Sequence, residues 1–286
     1  MQSKLFCALP QRSLVRVAGV DAANLLQSFT TVDVRKSSPD ALLFGAFLNP
    51  KGRILHDFFM RKLPGGEFDL ETSKASSQAL VDYLNKFKFR KKAQITLDPS
   101  RSVFAVWGDL GLTDPRFPTL ARRLWAAEVP QSVEVSSDRY HEERMRLGFC
   151  EGDEESFEKV PFQLNYDFIP QALCYDKGCY TGQELIARTH FKGQVRKRIL
   201  PVELEGATAA VGSSIDPLAG EKEDSVGEGV LVALAPGNPR VGLAAFRDAQ
   251  FVQSSTAVAT HEIKETNTKV HLIRPEWWPA PPAAIE

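Results

Sequence analysis

The sequence predicts an α+β protein that closes with a small β-rich C-terminal domain. Two patterns carry that expectation. As far as about residue 150, strand-like stretches are interleaved with amphipathic helical ones, an order typical of α+β layers. After Gly193 the chain changes to short strands separated by turns. The scale permits more than one core: 286 residues with 43% hydrophobic and 25% charged content fit two or three soluble domains. A net charge of −1 supplies no whole-molecule field for nucleic acid, and no apolar run approaches a membrane span. Cys7, Cys150, Cys174 and Cys179 are too few and too irregularly spaced for a disulfide scaffold, which points to a reducing compartment.

In chain order, Leu14 to Val17 reads as a short strand. A helix is expected over 19–29, capped near Asp21, with Ala22, Leu25, Leu26 and Phe29 on its apolar face. Ala41 to Phe47 is strand-like, Asn49-Pro50-Lys51-Gly52 is a strong turn, and Arg53 to Met60 returns as the second arm of a hairpin. Glu67 to Thr72 is a further strand and Lys74 to Phe87 a helix. Strands are expected at 93–97 and 103–107, a loop at 109–118, and a polar helix at 136–148 with Arg139, Glu142, Glu143, Arg144 and Arg146 on mostly solvated faces. Glu151 to Glu158 reads as an acidic surface loop. Beyond Gly193, strands are expected at 197–203, 229–235, 241–246 and 258–260, with a polar loop at 217–229. Trp277 and Trp278 read as a surface anchor ahead of an extended, partly disordered end.

The most informative run is Asp176-Lys177-Gly178-Cys179-Tyr180-Thr181-Gly182-Gln183-Glu184. Thr181 with Glu184 is a capping-box pattern, so a helix should run from about Gln183 to His190 and stop near Gly193. That places Cys179 just outside a helix N-terminus, with Lys177 two residues back and Arg188 further along. Helix ends and nearby cations favour the thiolate, a better nucleophile and metal ligand. A buried, inert cysteine is the competing reading. Cys174 and His190 do not complete a four-ligand zinc set, and a one-chain iron–sulfur site would need more thiolates.

Lys177-Gly178-Cys179-Tyr180, then Gly182-Gln183-Glu184, resembles the signature of the YgfZ-like folate-binding proteins related to the glycine-cleavage aminomethyltransferase. The likeness continues from Ala187 through Arg188 to Arg198, where it is most similar to the mitochondrial, Iba-type iron–sulfur cluster assembly factors. Leu48 to Asp57 resembles the same family's N-terminal half. The resemblance implies a three-domain, aminomethyltransferase-like cloverleaf with a central cleft. Its discontinuous first domain would be 1–60 plus 150–192, its inserted ferredoxin-like domain 61–149, and its C-terminal β-barrel-like domain 193–286. It also implies a non-enzymatic factor acting late in 4Fe-4S maturation with A-type scaffold proteins. In that role Cys179 gives one thiolate to a 2Fe-2S cluster shared with the partner. A mitochondrial matrix location, a removed presequence (none is visible here) and a monomeric free state go with it.

The same resemblance implies a tetrahydrofolate cleft with Asn49, Arg53 and Asp57 as candidates, and the alternative of a folate-dependent aminomethyl-type transferase. The transferases usually carry an Asp-Asp pair where this chain has His56-Asp57, which removes part of that site. Strand alternation would put Arg53 and Asp57 on one face, where they suit an ion pair, and His56 on the other. The basic stretch Lys86–Lys92 reads first as a solvated helix end with Phe87 and Phe89 packed inward, second as a rim for folate's glutamate tail, and last as a nucleic-acid contact.

Overall fold

A computed structural model describes residues 5–206, 209–217, 227–247 and 258–279. The chain divides into two compact units. Unit 1 comprises Met1–Ser137, Glu151–Pro161 and Ile169–Lys192; unit 2 comprises Asp138–Cys150, Phe162–Phe168 and Gly193–Glu286.

Unit 1 holds two sheets. The five-stranded one has the order β3 (Leu43–Leu48), β4 (Ile54–Lys62), β5 (Phe68–Ser73), β2 (Arg12–Ala18), β6 (Gln94–Asp98), antiparallel throughout. Its strands join residues on both sides of position 60, so the two units group the chain differently from the three-part division expected above. One face, through Val15, Val17, Phe58, Met60 and Leu70, shares a core with α1 (Ala22–Gln27) and α2 (Ser77–Phe87). Ala22, Leu25 and Leu26 of α1 enter this core as the 3.6-residue period expects, with Leu80, Val81 and Leu84 of α2; α1 ends before Phe29, and Phe87 at the end of α2 is 46% exposed. The opposite face is different. Arg12, Asp57 and Glu71 lie there, two residues apart in phase from Leu14, Phe59 and Asp69, and all of these are buried. The second sheet has the order β8 (Arg122–Ala126), β7 (Ser102–Trp107), β1 (Leu5–Ala8), β9 (Val133–Glu134).

Unit 2 is built on a closed barrel. Its order is β10 (Lys197–Leu204), β13 (Asn238–Arg247), β12 (Gly229–Ala235), β11 (Ser214–Pro217), β14 (Val258–Ile263), β15 (Thr268–Ile273). The short, evenly spaced strands expected after Gly193 thus form a C-terminal barrel, with closure removing free edges. Residues 218–226, in the expected polar loop, and the final residues 280–286 lie outside the described residues.

Four local expectations need correction. Trp278 is no surface anchor: it is buried in the barrel core with Leu200, Phe246 and Leu272. Trp277 stacks on Phe149, ring centroids 4.6 Å apart, and its indole N–H donates to the Leu147 carbonyl at 2.8 Å. The acidic stretch after Cys150 is not simply surface: it forms the one-turn α4 (Asp153–Ser156), with Glu151 and Glu155 buried. In α3 (Ser137–Arg146), Arg139–Glu143 and Arg146–Glu142 pair on the exposed side as expected, but Arg144 is buried and donates to the Phe149 carbonyl at 2.9 Å. At the end of α2, Phe87 packs on Tyr83 and Phe29, whereas Phe89 points into solvent.

Candidate functional site

The cysteine motif occupies the irregular stretch before α5 (Gln183–Lys192), which runs two residues further than expected and stops at Gly193. Backbone and side-chain bonds pin this stretch to the segment that follows α1. The N–H of Cys174 donates to the Thr31 carbonyl at 2.8 Å and that of Thr181 to the Ser28 carbonyl at 3.1 Å. Lys177 drives its ammonium inward, donating to the carbonyls of Thr30 at 2.7 Å and Val32 at 2.6 Å, 4.9 Å from the Tyr180 ring centre. Burial lowers its pKa to about 8. Lys177 therefore holds the loop in place instead of flanking the exposed thiol.

At the helix start the side chain that reaches back is Gln183, whose Oε1 accepts from the Tyr180 N–H at 3.1 Å, in place of the expected Glu184. Gly182 has φ +81°, and a Cβ there would lie 2.6 Å from the Asn49 carbonyl oxygen. Gly52, φ +76°, would place a Cβ 2.6 Å from that of Leu185. The Asn49–Gly52 turn and the cysteine motif, 130 residues apart, thus meet through two glycines that leave no room for a side chain.

The result is an exposed Cys179 at the mouth of α5. An open depression of about 660 Å³ lies over it, lined by Cys179 and by Gln183, Glu184, Arg188, Phe191 and Lys192 among others. These helix residues fall into two adjacent rows, 183–187–191 and 184–188–192, at the four-residue spacing of one helix face. Glu184 is nearest the thiol end and Arg188 and Lys192 follow, the polarity that suits the helix dipole. Phe191, in the adjacent row, is 68% exposed. His190 stacks on Tyr175, centroids 3.6 Å apart and 11° from parallel, which ties the last turn of α5 back to the motif loop. Gly178 is exposed with open space around it. Among the described residues no group of three or more His, Cys, Asp or Glu side chains could hold a metal.

The folate candidates are arranged otherwise. Asn49 Oδ1 accepts from the N–H groups of Lys51 and Arg53, and its Nδ2 donates to Glu158 at 3.0 Å. Arg53 is exposed and donates to the Glu158 carbonyl at 2.8 Å. Asp57 is 0% exposed and its carboxylate takes bonds from Arg12 at 3.0 Å and the Gly152 N–H at 2.8 Å. The Arg53–Asp57 pair suggested by strand alternation is not made. A bulge at Leu55 shifts the register between Phe47–His56 and Leu48–Ile54, and Arg53 lies outside β4. His56 is buried too; its Nδ1 is 3.0 Å from Ser76 Oγ, and burial lowers its pKa.

Around Asp57 lies a buried charge cluster that the sequence reading missed. Glu71 accepts from Arg12 at 3.0 Å, Arg123 at 2.9 Å and the Trp125 indole at 2.7 Å. Glu151 pairs with Arg123 and, at 3.0 Å, with Arg116, which also grips Asp114 at 2.8 Å. The Arg123 guanidinium lies 4.3 Å from the Phe59 ring centre. The signal was present as charges at period two, in Arg12-x-Leu14-x-Arg16 and Asp57-x-Phe59-x-Arg61. Their burial needed the second sheet.

No family model matches the chain. The mouse protein named iron-sulfur cluster assembly factor IBA57, mitochondrial, is 30% identical, over 95% of this chain and 84% of that protein. The IBA57 homolog of Pyricularia oryzae, also named mitochondrial, is 34% identical over 72% of this chain, which spans 59% of that relative's length. Among solved structures, the glycine cleavage system aminomethyltransferase T of Bartonella henselae matches 96% of this chain and 86% of its own, with a TM-score of 0.71 at 14% identity. That likeness establishes the aminomethyltransferase-like fold.

Proposed function

The chain belongs to the IBA57 family of iron–sulfur cluster assembly factors, and from that premise we propose that it assembles clusters through Cys179. The thiolate is one ligand of a 2Fe-2S cluster whose remaining ligands come from an A-type scaffold protein, late in the maturation of 4Fe-4S proteins in the mitochondrial matrix. The observation that carries this reading is an exposed thiol at the rim of an open depression, where no group of three or more His, Cys, Asp or Glu among the described residues could close a metal site alone. Iron of this softness suits thiolate ligation, and an open coordination sphere is what a shared cluster requires. The helix N-terminus stabilises the negative charge of a ligated thiolate. Arg188, Lys192 and Phe191 then meet the partner along α5. The protein is monomeric when free.

The test is anaerobic mixing with an A-type scaffold carrying a cluster, followed by size and absorbance analysis. Wild type should form a cluster-bearing heterocomplex. Cys179→Ser should not, while Cys174→Ser should retain it. An unchanged complex with Cys179→Ser ends this reading.

The shared fold motivates a second reading, tetrahydrofolate as a ligand with or without aminomethyl-type transfer. Calorimetric titration with tetrahydrofolate separates the cases. Binding with turnover makes the protein a transferase, binding without turnover leaves folate as a structural or regulatory ligand, and no binding removes this reading.

A further inference from the structure

We propose that the corner formed by Lys86–Lys92 and Val20 docks the protein on an anionic lipid bilayer. Lys86, Lys88, Arg90, Lys91 and Lys92 place five cations within seven residues. Among the described residues none of them pairs with a carboxylate. Two acids lie nearby: Asp21, within the corner, accepts from the Lys92 backbone N–H at 2.7 Å, and Asp82 accepts from Gln78 at 2.8 Å, so the five cations outnumber the acids.

Apolar side chains stand out from this cationic field. Phe89 is 82% exposed and Val20 is 83% exposed. Phe89 has φ +47°, a left-handed conformation that non-glycine residues rarely adopt, and it holds the ring outward just past the end of α2. The loop bearing Val20 is fastened to the same corner, because the Asp21 N–H donates to the Lys92 carbonyl at 3.3 Å while Asp21 accepts in return. Arg90 and Lys86 lie 5.3 and 5.4 Å from the ring centres of Phe89 and Phe87.

Protruding apolar tips ringed by cations match the chemistry of an anionic interface. The tips enter the headgroup region, and the cations stay at the charged surface. A single-stranded nucleic acid would instead want several free aromatic faces for stacking. Here Phe87, 46% exposed, packs on Tyr83 and Phe29 and leaves only part of its ring open, and Val20 has no ring to offer. A small dianion would not require exposed apolar tips at all.

The experiment is flotation of the full chain with phosphatidylcholine vesicles, with and without about 30% phosphatidylserine. Binding should need the anionic lipid and weaken as salt rises. Phe89→Gly should lower binding about tenfold while keeping or raising thermal stability, since glycine accepts a positive φ. Arg90→Glu with Lys91→Glu should lower it further, and cluster binding at Cys179 should be unaffected. Absence of vesicle association at low salt overturns the proposal. Equal association with neutral vesicles, full retention by Phe89→Gly, or binding of single-stranded RNA with none to vesicles does the same.

Discussion

Two regions of unit 1 concentrate chemically capable side chains, and they are built in opposite ways. At the start of α5 a thiol stands open to solvent, and the polar groups behind it are spent on holding the loop. Between the two sheets, Arg12, Arg116 and Arg123 face Asp57, Glu71, Asp114 and Glu151 with almost no exposure, each group directed at another. A dense cluster of ionisable groups is thus compatible with a role in holding two sheets together, because buried charges must be paired. The lone exposed cysteine is the group with coordination left to give. Density of charge is a poor guide to function; unspent bonding capacity is a better one.

Breaking the closed region should have the largest effect on stability. Arg123→Met leaves Glu71 and Glu151 without a shared cation, so unfolding in urea should show a loss of about 3–5 kcal/mol. If the loss is under about 1 kcal/mol, the cluster is not what joins the sheets. Gly182→Ala attacks the contact between the cysteine motif and the Asn49–Gly52 turn. A side chain at positive φ against the Asn49 carbonyl should cost about 2–3 kcal/mol by thermal or chemical unfolding, and should weaken partner binding by displacing the start of α5.

Lys177 gives a pH signature. Its folded pKa of about 8 lies below its ordinary 10.5, so between those values the unfolded chain binds more protons. Stability should therefore rise with pH across that window, by at most ~1.4 kcal/mol per pH unit at the steepest. Tyr180, whose pKa burial raises, opposes the trend at the alkaline end. In Lys177→Met the rising limb should be absent; its persistence would assign the effect to another group. The smallest stability change is expected at the open region: Cys179→Ser should shift unfolding by less than about 0.5 kcal/mol while abolishing cluster sharing. A large destabilisation there would mean that the thiol is a packing group after all.

The legibility of the two regions differs for the same physical reason. The helix after Gly182 and the Asn49–Gly52 turn follow from local backbone chemistry, so they could be read from short stretches, whereas the sequence left Cys179 open between an exposed and a buried thiol and the fold exposes it. Asp57 could not. Its partners come from β2 and from Gly152, and its neighbour Glu71 is shared with β8, so a residue read as a cleft acid lies in a sealed network. Lys177 was misjudged likewise, because the carbonyls it meets lie some 145 residues away.

By itself the sequence determined the α+β order, the change to short strands after Gly193, and the motif that puts a cysteine before a helix. Those depend on φ preferences, side-chain periodicity and capping, which act within a few residues. Only the tertiary structure decided which charged groups are spent and which are free. That is settled by desolvation and pairing between segments far apart in the chain, and no local pattern encodes it.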